Sequence, residues 1–195
     1  MNTNALHFYK KLLLIAVAIA FAMLLTRGSH VLTQVSLPDA SLTLFLLGGL
    51  YLSANFKMSM AWFVAFFGLA TFIDFGAAAL DPLQGFCLTN GYWGLIPSYA
   101  ALWLAGVWLS KQKNPFAALP FTLVSLSATF IAFVVSTQTY YLFSGRFPAQ
   151  GLIESMKHGW NYLPNWMAVN AAYFGLVLII VALIRGVKHT KISRI

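Results

Sequence analysis

Six apolar stretches constrain this chain more than any motif in it. They fall at about 8–26, 40–55, 58–80, 93–109, 118–143 and 167–184. A membrane-spanning helix needs about 20 predominantly apolar residues. A barrel strand would be shorter and would alternate, whereas these runs are continuous. Only 8% of the 195 residues are charged and 60% are hydrophobic, with a mean hydropathy of +0.78. An ordinary soluble domain carries about 25% charged residues. A soluble fold of about 150 residues still leaves roughly a third of its chain surface in water, so this composition excludes a soluble enzyme. It also excludes disorder, which requires low hydrophobicity. The expected fold is all-α: one polytopic transmembrane domain over 1–195, with six transmembrane helices.

The first stretch has Lys10 and Lys11 near its start and Arg27 just after it. No small-residue cleavage site follows Leu25, so it reads as a span rather than a signal peptide. The two lysines can snorkel to lengthen its short apolar centre. A tight join around Phe56 and Lys57 makes a helical hairpin of the second and third stretches. No internal repeat is visible, which removes support for an inverted-repeat transporter.

The 12 Lys and Arg outnumber the 4 Asp and Glu, for a net charge of +8. They cluster at the ends of apolar runs, where they act as topology signals and not as a nucleic-acid surface. Six spans place both termini on one side. That side holds Lys10, Lys11, Lys57, Lys111, Lys113, Arg185, Lys188, Lys191 and Arg194; the other holds Arg27, Arg146 and Lys157. The imbalance orients both termini to the cytoplasm. Asp39, Asp81 and Glu154 then lie in outward loops, together with His30, Cys87, Tyr92 and His158. A functional site would therefore open outward.

Asp74 is the strongest single signal. It lies sixteen residues beyond Met58, about 24 Å along a core about 30 Å thick, and so near the outer end of the third span. An ionisable group there faces a cavity or a partner; Arg27 and Arg146 are the candidate partners. Cys87 is the single cysteine, which excludes an internal disulfide or a CxxC pair. It is either a small buried hydrophobe or a soft metal ligand and nucleophile. Asp81 before Pro82 reads as a helix N-cap. His30 is a ligand or a solvated loop residue, and Arg146 an interfacial anchor or a substrate contact. Asn90, Asn161 and Asn165 offer amides around an outward site. Ala16, Ala18, Ala20 and Ala22 form two overlapping small-xxx-small pairs, for packing within the chain or against another helix. No G-x-x-x-x-G-K-[ST] occurs, so the chain has no P-loop for ATP.

Asp74, Cys87 and Tyr92, with His30 in the first outward loop, make the sequence resemble the BtuM family of small bacterial membrane proteins. These are vitamin B12 (cobalamin) transporters, similar to the S-components of energy-coupling factor (ECF) transporters. The resemblance implies six helices in an S-component-like bundle in the inner membrane, cytoplasmic termini and an outward cobalamin site built from loops. It implies that Cys87 is an axial ligand to cobalt, with Asp74, Tyr92, His30 and Arg146 as further site positions. It also implies an ECF module as a partner, docking through the alanine pairs of the first span. A thiolate on cobalt would loosen the opposite ligand, so uptake could be joined to thiolate-assisted decyanation of cyanocobalamin, with Cys87 as the catalytic group.

A rival resemblance is to the exosortase and archaeosortase group of membrane cysteine transpeptidases. There Cys87 would be the nucleophile, with Arg146 and His158 beside it. The residues around Cys87 depart from that group's alanine-cysteine-serine-glycine pattern, and Asp74 and Tyr92 would have no role.

Overall fold

The computed structural model describes residues 3–27, 37–147 and 151–192, with side chains placed for 6–27, 37–147 and 151–186. Among the described residues the structure is helical throughout. The helices are α1 (Thr3–Arg27), α2 (Ser41–Leu52), α3 (Phe56–Leu80), α4 (Leu95–Ser110), α5 (Ala118–Phe143), the single turn α6 (Leu152–Ser155) and α7 (Leu163–Ile192). Tight 3-10 turns at Pro82–Cys87, Asn90–Gly94 and Trp160–Tyr162 join them.

Four helical segments are long and apolar enough to cross a membrane: Leu6–Arg27, Phe56–Leu80, Ala118–Phe143 and Leu152–Gly186. Their outward faces are apolar too. Met60, Val64 and Phe72 on α3, and Ile179, Leu183 and Ile184 on α7, are all exposed. Faces of this size and composition are unfavourable in water and compatible with a multi-pass membrane protein.

Of the two shorter helices α2 lies inside, whereas α4 keeps an exposed face at Ile96, Leu104 and Trp108. With 12 residues α2 reaches about 18 Å, and with 16 residues α4 reaches about 24 Å. The second apolar stretch thus yields a shorter helix than its hydropathy suggests. The reason is local: Asn55 accepts from the Met58 N–H at 2.9 Å and starts α3, so α2 must stop at Leu52. Every residue of α2 except Leu47 and Tyr51 is buried. Only Phe66, Ala70 and Ile73 are buried in the 25 residues of α3.

Helix α2 packs most extensively against α4, and also against α1, α3 and α7. Glycine makes the closest of these approaches possible. A Cβ on Gly49 would collide with the Trp103 carbonyl, and one on Gly106 with the Leu46 carbonyl. Trp103, 3% exposed, fills the space beside this contact and donates its indole N–H to Ser59 Oγ at 2.8 Å.

The alanines of α1 divide between two environments. Ala16 is buried, and Ala20 and Ala22 pack on the core. Ala18 is exposed, on a face with Leu14, Val17 and Phe21. Small-residue packing within the chain therefore accounts for part of the motif.

Candidate functional site

The helices alternate in direction, so one end of the bundle collects the C-terminal halves of α1, α3 and α5 and the N-terminal parts of α2, α4 and α7. A cavity of about 560 Å³ opens there. The start of α1 and the end of α7 lie roughly 35–45 Å away, at the opposite end, from their lengths at 1.5 Å per residue.

Arg27, the last residue of α1, ties the cavity floor together. Its side chain is 8% exposed. Nε donates to Asp74 Oδ1 at 2.7 Å, and the terminal nitrogen Nη2 to Asp74 Oδ2 at 2.6 Å. This two-point fork is the geometry in which a guanidinium binds a carboxylate best. The other terminal nitrogen serves Ser41 Oγ at 2.9 Å, Asp39 Oδ2 at 3.3 Å and the Tyr99 hydroxyl. Tyr92 adds a donor, its hydroxyl lying 2.8 Å from Asp74 Oδ2. One arginine thereby joins α1, α2, α3 and α4, and Asp74 holds Tyr92 against them. Of the two candidate partners for Asp74, the structure selects Arg27.

Cys87 ends the first 3-10 turn and lines the same cavity. Asp81 starts that turn as an N-cap, accepting from the Leu83 N–H at 3.0 Å with Pro82 in the first position. Arg146 holds the turn's far end. It donates to the Phe86 carbonyl at 3.0 Å, and its guanidinium carbon lies 3.9 Å from the centre of the Phe86 ring. Arg146 thus fixes the turn that presents Cys87, and it is Phe86, not Arg146, that forms part of the cavity wall. Burial and, secondarily, the Asp74 carboxylate push the Cys87 thiol up, against the opposing pull of Arg146 and Arg27. By surface area Cys87 is nevertheless exposed, so the thiol remains accessible.

The opposite wall is one face of α5: Phe133, Ser136, Thr137, Tyr140 and Tyr141. Their spacing of 3, 4, 7 and 8 residues from Phe133 is a helical stripe. The turn at Asn90–Gly94 lies close against this helix because a Cβ on Gly94 would overlap the Thr139 side chain. Phe147, Tyr162 and Trp166 complete the rim.

The structure brings Asp74, Cys87 and Tyr92 to one cavity and places Arg146 behind its wall. His30 lies outside the described residues. His158 is not a cavity-lining residue. Its ring stacks on Tyr141 at 5.4 Å and faces Phe147 at 6.5 Å, while its carbonyl accepts from Gln138. Among the described residues no three His, Cys, Asp or Glu side chains gather as a metal site.

Asp39 and Tyr99 also belong to the site and were not singled out as site residues by the sequence, nor was the α5 stripe. A scan of protein families gives no match to the chain, and a search of curated proteins gives none.

Proposed function

We propose that this chain is a cobalamin uptake protein of the bacterial inner membrane. It has six spans in an S-component-like bundle, both termini in the cytoplasm and the cavity open to the outside. The observation that carries the reading is the cavity itself, which sets one thiol against a wall of hydroxyls and aromatic rings. A corrinoid is flat, apolar on its faces and fringed with carboxamides. Phe86, Phe133 and Trp166 suit the faces, and Ser136, Thr137, Tyr140 and Tyr141 suit the fringe. The two short helices also fit: α2 and α4 need not span the whole core when longer helices flank them and their ends meet polar loops.

Binding proceeds by ligand exchange. The Cys87 sulfur donates a lone pair to cobalt, its proton passes to water, and the cobalt–benzimidazole bond on that face breaks. A thiol that holds its proton more tightly than usual suits this order of events, since the metal supplies the stabilisation that deprotonates it. Asp74, held by Arg27 and Tyr92, is part of the cavity lining. The cysteine transpeptidase reading is the weaker one, because its acid–base partner, His158, does not itself line the cavity but packs its ring on two residues that do, Tyr141 and Phe147.

An energy-coupling partner, if the chain uses one, would meet the exposed face of α1 around Ala18. The lipid bilayer covers the remaining apolar surface.

The test is direct. Purified protein mixed with cyanocobalamin and passed over a sizing column is expected to elute coloured, and cells dependent on the chain for uptake to grow on the vitamin. Protein that elutes colourless at micromolar ligand would overturn the proposal.

A further inference from the structure

All four Asp and Glu side chains of the chain belong to the cavity end. Asp39 and Asp74 line the cavity, Asp81 caps the turn before Cys87, and Glu154 pairs with Lys157 at 2.8 Å shortly before α7. The opposite end carries cations with no Asp or Glu to answer them. Lys57 at the join of α2 and α3, Lys111 and Lys113 after α4, and Arg185 on α7 are exposed there.

Arg185 differs from the lysines because its guanidinium is held in place. It donates through Nη2 to Asn114 Oδ1 at 3.1 Å, in the loop between α4 and α5. The guanidinium carbon lies 6.0 Å from the centre of the Phe116 ring, at the outer reach of a cation–π contact. Phe116 is seated in turn, packing on Tyr51 of α2 at 6.1 Å and on Phe121 of α5 at 5.5 Å. A guanidinium has several N–H donors, and among the described residues the Asn114 amide is its only acceptor. The Asn114 Nδ2 donates to no protein group among them. Donors of both side chains therefore remain for an external acceptor.

Depth and neighbours say what that acceptor is attached to. Arg185 lies 22 residues beyond Leu163, about 33 Å along α7 at 1.5 Å per residue. The hydrocarbon core is about 30 Å thick, so the guanidinium stands at the level of the lipid headgroups. Ile180, Leu183 and Ile184, in the turns just before it, are exposed and apolar. A free anion would gain nothing from that face, whereas acyl chains would cover it. A planar guanidinium matches phosphate oxygens, and anionic leaflets attract basic residues at their surface. We infer that Arg185 and Asn114, seated on Phe116, form a site for the phosphate headgroup of an anionic phospholipid, whose acyl chains lie along α7. The site is independent of what the cavity holds.

The experiment is native mass spectrometry of the full chain, released from micelles containing phosphatidylglycerol and phosphatidylcholine in equal amounts. The parent protein is expected to retain phosphatidylglycerol about fivefold over phosphatidylcholine. Arg185→Gln removes the charge, and Asn114→Asp answers it with a carboxylate from the chain itself; each is expected to remove most of the preference. Lys10→Gln removes an exposed charge on α1 at the same end and is expected to leave the preference unchanged. Equal retention of the two lipids by the parent protein would overturn the site, whatever the variants do. A preference that survives in Arg185→Gln would overturn it too. So would equal falls in Arg185→Gln and Lys10→Gln, which would mean a diffuse charge effect. Displacement of bound phosphatidylglycerol by inorganic phosphate at equal concentration would overturn a lipid as the ligand.

Discussion

Helices α2 and α4 are joined by different physics at their two ends. Away from the cavity, Gly49 and Gly106 let the backbones touch, and Trp103 fills what remains. At the cavity end the same helices are linked through charge: Arg27 reaches Ser41 on α2 and Tyr99 on α4 while its fork holds Asp74 on α3. Close packing leaves no room, so a site cannot form there. A hydrogen-bonded ion pair spans a gap with defined geometry and lets the walls stand apart. The contrast shows how a small, mainly apolar bundle keeps one end shut and the other open.

Breaking the charged end should have the largest effect. Arg27→Met leaves Asp74 partly buried without its partner and is expected to cost about 3–5 kcal/mol. Thermal melts in detergent measure it. Adding Asp74→Leu to Arg27→Met should recover much of the loss, since removing both charges is far less costly than stranding one. If the double variant melts no higher than the single, the network is not what holds that end.

The packed end should respond less, and differently. Gly49→Val forces α2 away from the Trp103 carbonyl, an overpacking cost of about 1–3 kcal/mol. Unlike Arg27→Met, it is expected to lower the melting temperature without changing ligand affinity in the protein that remains folded. A matched loss of affinity would mean that the two ends are coupled.

The smallest effect concerns Cys87. Its thiol is pushed up by burial and by Asp74. Alkylation should therefore be slow near pH 7 and should accelerate with rising pH later than for a free thiol, because only the thiolate reacts. Arg146→Gln removes a group that favours the thiolate and should slow the reaction further; Asp74→Asn should speed it. Rates of maleimide labelling across pH check both signs, and a reversal of either would contradict the electrostatics described here.

Much of the fold was legible because apolar runs announce helices. What hydropathy could not show was where one helix yields to the next. The apolar run at 40–55 contains the stop at Leu52 only because Asn55 caps the following helix. The same holds in the site. Asp74 stood out because a carboxylate is costly in a span, and Tyr92 and Cys87 were near in sequence. Arg27 and Arg146 were equal candidates to pair with Asp74, and nothing in a separation of 47 residues shows that Arg27 is the one that makes the 2.6 Å contact. The α5 stripe was readable in principle, since Phe133, Ser136, Thr137, Tyr140 and Tyr141 share one helical face. Each of those residues is tolerated singly in a span, and only the opposing cavity gives the set a purpose.

The central claim is a sulfur–cobalt bond between Cys87 and the corrinoid. The visible spectrum of cyanocobalamin bound to the purified protein tests it most directly, compared with Cys87→Ser. The account predicts shifted corrin bands with the parent protein and none with the serine variant, whose hydroxyl is a hard and weakly acidic ligand. Identical spectra and affinities for the two proteins would contradict it.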